Sequence, residues 1–391
     1  MRRTPVFLLT GFLGAGKSTL LNRLLRDPAF AKTAIIINEF GEIALDHDLV
    51  RVADAPLSRT TTGCLCCTAG SDVRSTLHEL HQAALGGGID VERIVVETTG
   101  LADPAPLVNQ LIPGGTPARS LGDHIVARHY ALAGVVTLVD IVTGELSIEN
   151  HFEAAKQIAF ADRIVLTKTD LARDPATIKD IGDLRERLAM LNPTAPVSDA
   201  ASPDFQPASL FAPRTYTPAG LGDDVLGWLT LDEAISSQGH GGRDERPADD
   251  ENAFRRHGAR IGSFSLTLDR PVDAASMSRF LDVLTASAGQ RLLRVKGLVQ
   301  VADDPGRPRL VHAVQHSVHP PTVLEEWPSD DRRTRLVFIT DGLDTDAVRQ
   351  LFAAALVDGT HSVQESFASL CRVFAKAWRS GKAALQRTPA R

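Results

Sequence analysis

The sequence predicts an α/β domain with a mostly parallel sheet, followed by a smaller α+β domain. Over roughly the first 215 residues, short apolar runs alternate with segments of helical spacing, as in a parallel sheet covered by helices on both faces. A polar, glycine-rich and charged segment follows at 236–260. Beyond it, apolar and polar residues alternate as in half-buried strands, with few helical segments between them.

The apolar pattern gives the elements of the first domain. After the first run, the leucines from Leu20 to Leu25 have helical spacing, and further helices are predicted at 73–85 and 152–160. The predicted strands are the apolar runs at 5–10, 34–37, 94–96, 134–139 and 164–166. We place this domain at 1–215 and a partly disordered linker at 216–258, because the linker has little to bury.

The second domain is predicted at 259–355. Its first strand contains Phe264, Leu266 and Leu268, and a helix covers 277–284. Further strands are expected at 292–301, 310–318 and 336–340. A helical tail at 356–391 is predicted from the spacing of Phe367, Leu370, Phe374 and Trp378.

Composition narrows the classes of function. The chain has 391 residues, a formal net charge of −6 and a pI of about 6.1, which argues against a nucleic-acid partner held by charge. No apolar run approaches the roughly 20 residues that span a bilayer, so no membrane partner is expected. The N-terminus superficially resembles a signal peptide, but its apolar stretch is too short and runs into a glycine loop. We interpret it as the first core strand of a cytoplasmic protein.

A phosphate-binding loop is the strongest motif in the chain. Residues 11–18, GFLGAGKS, match G-x-x-x-x-G-K-[ST] at every fixed position, after a strand and at the start of a helix. Lys17 is expected to reach the β- and γ-phosphates and to act in catalysis, and Ser18 to place its hydroxyl on Mg²⁺. The alternative is a plain glycine turn. The predicted nucleotide-binding residues are Gly11, Gly14, Ala15, Gly16, Lys17, Ser18 and Thr19.

Two further strand ends carry polar residues suited to a nucleotide. The run at 94–96 ends in Glu97, an acid placed to hold the metal, and Gly100 follows as the amide that senses the γ-phosphate. An ordinary strand end with a polar turn is the alternative. The run at 164–166 ends in T-K-x-D, where GTP-binding proteins usually carry N-K-x-D. Thr167, Lys168 and Asp170 therefore favour guanine, because the Asp170 carboxylate accepts two donors that adenine does not offer. A solvated loop after the strand is the alternative.

Three clustered cysteines predict a transition-metal site. Cys64, Cys66 and Cys67 lie too close together to staple distant segments as disulfides do, and thiolates favour Zn²⁺, Cu⁺ or Co²⁺. Glu42 or Asp46 is a candidate fourth ligand. Small buried side chains and a redox pair are the alternatives. Cys371 stands alone and is interpreted as a packing residue.

Histidines in the second domain form a weaker candidate. If 310–318 is one strand, His312 and His316 point to one face and His319 to the other. That geometry makes a poor metal site, so surface or core histidines are the preferred interpretation.

Together the motifs resemble those of the CobW-type metallochaperone GTPases, relatives of the nickel-enzyme maturation GTPases. The shared pattern is the phosphate loop, N-E-F-G-E at 38–42, G-C-x-C-C at 63–67, E-x-x-G at 97–100 and T-K-x-D at 167–170. In the second domain, R-V-K-G at 294–297 and Q-H-S-V at 315–318 also resemble the family. The resemblance implies binding of GTP with Mg²⁺ at Ser18 and Glu97, slow hydrolysis to GDP, and a transition metal at the cysteines. It also implies delivery of that metal to client proteins, with subgroups tied to zinc homeostasis and to cobalt in cobalamin synthesis.

We therefore expect a GTP-hydrolysing metallochaperone. Zn²⁺ is expected ahead of Co²⁺, because thiolates bind it well and because it is the more available metal ion. Glu42 is predicted to be the further metal ligand. The sequence does not identify the client metalloprotein. It also leaves the oligomeric state open, with a homodimer as one option. Slow turnover is expected because no water-positioning glutamine or arginine finger stands out in the sequence. The alternatives are a nucleotide-gated metal sensor or storage protein with incidental hydrolysis, and a small-molecule kinase.

Overall fold

The computed structural model describes residues 3–38, 73–86, 90–112, 115–172, 175–211 and 261–357. These residues fall into two compact units, one up to Phe211 and one from Gly262 onward. The predicted linker and the predicted tail beyond Val357 lie outside the described residues.

The first unit is a six-stranded parallel sheet with helices between its strands. The strands are β1 (Thr4–Gly11), β2 (Thr33–Asn38), β3 (Arg93–Thr98), β4 (Tyr130–Asp140), β5 (Arg163–Thr167) and β6 (Val197–Asp199). They lie in the order β2-β3-β1-β4-β5-β6, and every pairing is parallel. The predicted mostly parallel sheet is confirmed, and it places β1 at the centre.

In the part of the first unit that the structure describes, eight α-helices accompany this sheet. They are α1 (Lys17–Leu24), α2 (Val73–Leu85), α3 (Ala105–Leu111), α4 (Leu121–His129), α5 (Gly144–Asn150), α6 (Phe152–Ala159), α7 (Pro175–Leu191) and α8 (Pro207–Leu210). Among the described residues, none of the helices has the length and apolar character needed to cross a membrane.

The leucines of α1 recur at helical spacing because they form the buried face of the helix. Leu20, Leu21 and Leu24 are buried against the sheet, where they share a core with Phe7 and Leu9 of β1. Apolar side chains at helical spacing form one stripe, and the hydrophobic effect turns that stripe toward the sheet. The central strand and the helix after it are thus held firmly, which fixes the loop between them.

Sequence patterns missed the short or weakly apolar elements. Strand β6 has three residues, all half-buried, and lacks the apolar run that identified the other five strands. Helix α4 is missed because Val126 is its one buried residue, although Ser120 and Asp123 form a capping box at its start. Tertiary packing decides such elements more than local pattern does.

The second unit is an antiparallel sheet with helices, as predicted for the smaller domain. Its elements are β7 (Ile261–Leu268), α9 (Ala274–Ala288), β8 (Leu292–Val301), β9 (Asp304–Val314), β10 (Ser317–Val318), β11 (Thr322–Val323), β12 (Thr334–Asp341) and α10 (Thr345–Phe352). The strand order is β10-β9-β8-β12-β7, and β11 pairs with β9. Phe280, Leu284 and Leu351 of the helices pack on Val295 and Phe338 of the sheet.

A hairpin turn corrects the prediction of one strand across 310–318. Strand β9 ends at Val314, Gln315 adopts a positive φ of 50°, and β10 returns antiparallel to β9. His319 donates its backbone N–H to the His312 carbonyl at 2.9 Å, and the two rings stack with centroids 4.8 Å apart. His312 and His319 are therefore cross-strand neighbours, and the prediction that they point to opposite faces is wrong.

Candidate nucleotide-binding site

The predicted nucleotide-binding residues lie at one edge of the parallel sheet. Strands β1, β3 and β5 end at Gly11, Thr98 and Thr167, and parallel strands bring their carboxyl ends to the same edge. β4 ends at this edge in Asp140. Open parallel sheets bind ligands outside the carboxyl ends of their strands, so these loops form the natural site.

The loop between β1 and α1 has the backbone geometry of a phosphate cradle. Gly11, Gly14 and Gly16 have positive φ angles of 144°, 76° and 90°, respectively. Gly16 lies at the N-cap of α1, where a side chain would be strained in this left-handed conformation. Successive turns of this kind aim backbone N–H groups at a common point, and the helix N-terminus adds its positive end.

Lys17 folds back over this loop. Its Nζ donates to the carbonyl oxygens of Gly11 at 2.8 Å and Phe12 at 3.2 Å. Ser18 and Thr19 are exposed in the first turn of α1, and Ala15 is buried beneath the loop. The ammonium thus lies beside the cradle, where the phosphates of a nucleotide require a positive charge.

Ser18 and Glu97 are brought together, as a magnesium site requires. The Ser18 hydroxyl donates to Glu97 Oε1 at 3.3 Å, across 79 residues of chain. Glu97 is the next-to-last residue of β3 and is 8% exposed, and the last residue, Thr98, donates to the Thr10 hydroxyl at 2.8 Å. Mg²⁺ binds hydroxyl and carboxylate oxygens as ligands alongside nucleotide phosphates, so Ser18 and Glu97 fit this ion.

Gly100 lies directly against the phosphate loop. A Cβ atom placed on Gly100 would be 2.7 Å from the Leu13 nitrogen and 2.8 Å from the Leu13 Cα. Only glycine allows so close an approach of two backbones. The loop after β3 therefore packs on the loop after β1, which puts Gly100 beside the predicted phosphate position.

The T-K-x-D segment is bonded to the same loop. The Thr167 hydroxyl donates to the Ala15 carbonyl at 2.9 Å, so a threonine in place of the usual asparagine still links β5 to the phosphate loop. Lys168 has a positive φ of 62°, and its Nζ lies 2.6 Å from Asp140 Oδ2. Asp170 is exposed on the turn that follows.

Asp140 lies at the same edge of the sheet and was not among the residues predicted from the sequence. It is buried, and it accepts hydrogen bonds from the Val142 N–H at 2.6 Å, the Thr143 N–H at 3.2 Å and Lys168. Burial opposes ionisation, but the Lys168 ammonium and these N–H groups outweigh it and lower the pKa of Asp140 below its ordinary value. An acid at the end of an apolar run, the signal that identified Glu97, would have identified Asp140 too.

The predicted transition-metal ligands lie outside the described residues. Cys64, Cys66, Cys67, Glu42 and Asp46 all fall between Asn38, the last residue of β2, and Val73, the first of α2. Within the described ranges, no three or more histidine, cysteine, aspartate or glutamate side chains are placed to hold a metal ion. The stacked pair His312 and His319 does not form such a group, and His316 does not complete one.

A parallel sheet with this glycine loop, the acid Glu97 and the T-K-x-D turn at its carboxyl edge defines a phosphate-loop nucleotide-binding protein. More narrowly, the chain belongs to the CobW/HypB/UreG family. Residues 5–199 match the model of the CobW/HypB/UreG nucleotide-binding domain, and residues 261–356 match that of the cobalamin synthesis protein cobW C-terminal domain. The resemblance predicted from the short motifs is confirmed.

Relatives align along both domains. The zinc chaperone YjiA of Escherichia coli is 31% identical over 353 residues, covering 90% of this chain and 99% of that protein. The zinc chaperone CobW of Sinorhizobium is 28% identical over 387 residues, covering 90% and 97%. The crystal structure of the Zn(II)-bound YjiA GTPase from E. coli matches with a TM-score of 0.62 at 29% identity, over 91% of this chain and 99% of that one.

Replacing Asp170 with asparagine is expected to shift base preference from guanine toward xanthine. The amide presents a donor where the carboxylate presented an acceptor, and losing a charged hydrogen bond should weaken GTP binding by about 10- to 100-fold. Competition of GTP, XTP and ATP against a fluorescent guanine nucleotide measures this preference.

Asp282→Asn is the matched control for this substitution, because Asp282 is exposed on α9 of the second unit. It should leave nucleotide preference unchanged. If the wild-type protein binds ATP as tightly as GTP, the assignment of the T-K-x-D segment to guanine is wrong.

Proposed function

We propose that this protein is a GTP-hydrolysing metallochaperone. It binds Zn²⁺, or Co²⁺ as the second choice, at Cys64, Cys66 and Cys67 with Glu42 as a further ligand. It passes the metal to a client metalloprotein under nucleotide control. Mg²⁺ accompanies the nucleotide at Ser18 and Glu97. The clustered thiols suit a reducing compartment, which supports a cytoplasmic location.

The observation that carries this proposal is where the thiol-bearing segment joins the nucleotide site. Asn38 ends β2 opposite Thr98 of β3, one residue beyond Glu97. The segment with the cysteines therefore leaves the sheet at the edge where the phosphate loop and Gly100 lie. The start of that segment and the predicted γ-phosphate position therefore lie at the same edge of the sheet, on neighbouring strand ends.

The far end of the segment is fixed as well. The Val73 N–H, at the start of α2, donates to the Gln110 side-chain oxygen at 2.9 Å. The buried Arg74 guanidinium donates to the carbonyls of Gln110 at 2.8 Å and Thr116 at 2.7 Å. Both ends of the cysteine-bearing segment are thus anchored on the nucleotide-binding domain. This arrangement suits a coupling in which the bound nucleotide changes the affinity of the cysteines for metal.

The relatives support the cargo and the reaction. Two of them are named zinc chaperones, and the matching crystal structure is that of a Zn(II)-bound GTPase. Three thiols within four residues have the soft-ligand chemistry that such a cargo requires. We therefore place Zn²⁺ first.

The metal affinity of the full chain is expected to differ between nucleotide states. Nucleotide control requires a coupling free energy, which for allosteric proteins corresponds to about 5- to 150-fold in affinity. Competition titration of Zn²⁺ against a chromophoric chelator, with a non-hydrolysable GTP analogue and then with GDP, measures it. Lys17→Ala, which should bind triphosphate weakly, is the control and should show little difference. Equal Zn²⁺ affinities in the wild-type protein would contradict nucleotide-controlled delivery and favour a storage protein with incidental hydrolysis.

A further inference from the structure

A buried glutamine on α6 contacts the loop that follows β3. Gln157 is 1% exposed, and its Nε2 donates to the carbonyl oxygens of Gly100 at 3.1 Å and Ala102 at 3.0 Å. Because both partners are carbonyl oxygens, the side-chain NH₂ group must face them, which fixes the amide orientation. One side chain thus satisfies two backbone acceptors of the loop from Thr99 to Asp103, here called the β3 loop.

An ion pair from the neighbouring residue holds the same loop. Lys156 Nζ lies 2.7 Å from Asp103 Oδ2, and the Lys156 side chain is 18% exposed. Asp103 also accepts the Ala105 N–H at 2.9 Å, which ties the loop to the start of α3. Consecutive residues of α6 therefore bind both halves of the β3 loop.

The opposite side of the β3 loop is the phosphate loop. Gly100 packs against the Leu13 backbone with no room for a side chain. The β3 loop is consequently held between the phosphate loop and α6. Its position decides where the Gly100 N–H lies relative to a bound γ-phosphate.

Helix α6 is itself fixed to the sheet. The Thr137 hydroxyl of β4 donates to the Gln157 carbonyl at 2.8 Å. At the C-terminal end of α6, directly after Gln157, Asn192 Nδ2 donates to the carbonyls of Ile158 at 2.8 Å and Ala161 at 2.9 Å. The helix is thus a rigid support for the donor group of Gln157.

We propose that Gln157 is a positioning residue that holds the Gly100 N–H where it recognises the γ-phosphate. The inference rests on the proposed GTPase function and deepens it. The role of Gln157 is indirect, because its amide acts through the two loop carbonyls. Preorganised N–H donors favour the charged transition state only if their position is set before the reaction. Lys156 adds a second, weaker anchor.

Gln157→Met tests this proposal, because methionine has similar volume and no donor. The ratio of the GDP to the GTP-analogue dissociation constant should fall about tenfold, since the γ-phosphate contact is no longer held in place. kcat should fall by about tenfold or more, while affinity for GDP stays within about twofold. Lys156→Met should shift the ratio in the same direction by a smaller factor.

Asn192→Leu is the matched control, because it removes a buried amide donor that also bonds the C-terminal end of α6, through the Ile158 and Ala161 carbonyls, but has no bond to the β3 loop in the contacts described above. It should lower the thermal unfolding midpoint and leave the nucleotide ratio unchanged. An unchanged ratio in Gln157→Met overturns the proposal, as does an equal fall in Asn192→Leu. If Gln157→Met does not fold, the Lys156→Met ratio decides, and no change there overturns it. Failure of the wild-type protein to bind or hydrolyse GTP would instead remove the proposed function itself.

Discussion

Replacing Lys17 with alanine is expected to lower GTP turnover by about 10²- to 10³-fold, the effect of removing one preorganised charge-stabilising donor. The Lys17 ammonium lies over the phosphate loop, bonded to the Gly11 and Phe12 carbonyls. We expect a bound triphosphate to bring its β- and γ-oxygens to this position. Without the lysine, their negative charge has no partner there, so triphosphate binding weakens together with hydrolysis.

Steady-state phosphate release and binding of a fluorescent GTP analogue measure the two effects. Lys32→Ala is the matched control, because Lys32 is exposed immediately before β2, at the opposite edge of the sheet from the phosphate loop. Its ion pairs with Asp90 and Glu92 do not reach the site. Wild-type turnover in Lys17→Ala would remove the assignment of GTP hydrolysis to this loop.

Local chemistry made the nucleotide site predictable from sequence. The phosphate loop needs glycines at φ values that other residues avoid, and Gly11, Gly14 and Gly16 occupy such angles. Apolar runs that end in a polar residue mark strand ends, and at Glu97 and Thr167 the structure brings those ends to the loop. Each of these features depends on only a few consecutive residues, so the sequence alone predicts it.

Features that depend on distant residues were not predictable in the same way. Gln157 lies on the inner face of α6 between buried alanines and an isoleucine, and only the fold reveals that its amide meets the β3 loop 57 residues earlier. The turn at Gln315 was missed because no glycine or proline marks it in the sequence. The pairing of His312 with His319 follows from that turn and not from strand alternation.

Replacing Cys66 or Cys67 with serine should lower the affinity for Zn²⁺ by at least about 100-fold. Loss of a residue that merely hydrogen-bonds a metal ligand typically lowers metal affinity by about 10- to 100-fold. Here the ligand itself changes, because a neutral hydroxyl replaces a soft anionic thiolate. GTP binding should remain nearly unchanged, because Lys17, Ser18 and Asp170 are intact. Competition titration measures the metal affinity, and Cys371→Ser, which removes the isolated fourth cysteine, is the control that should match the wild-type protein.

Metal uptake by the wild-type protein should also depend steeply on pH. A thiol with an ordinary pKa of about 8.5 is protonated at neutral pH and must release its proton before it binds the metal. Affinity should therefore fall as pH falls, by about tenfold per pH unit for each proton released. Titration with Co²⁺ gives a direct readout, since thiolate ligation produces intense near-ultraviolet charge-transfer absorption and tetrahedral geometry produces visible bands. If both are absent in wild-type protein whose thiols are reduced, the cysteine cluster is not a metal site. Nucleotide hydrolysis would then have no metal ion at the cysteines to release. The metallochaperone proposal would fail even if the protein hydrolyses GTP.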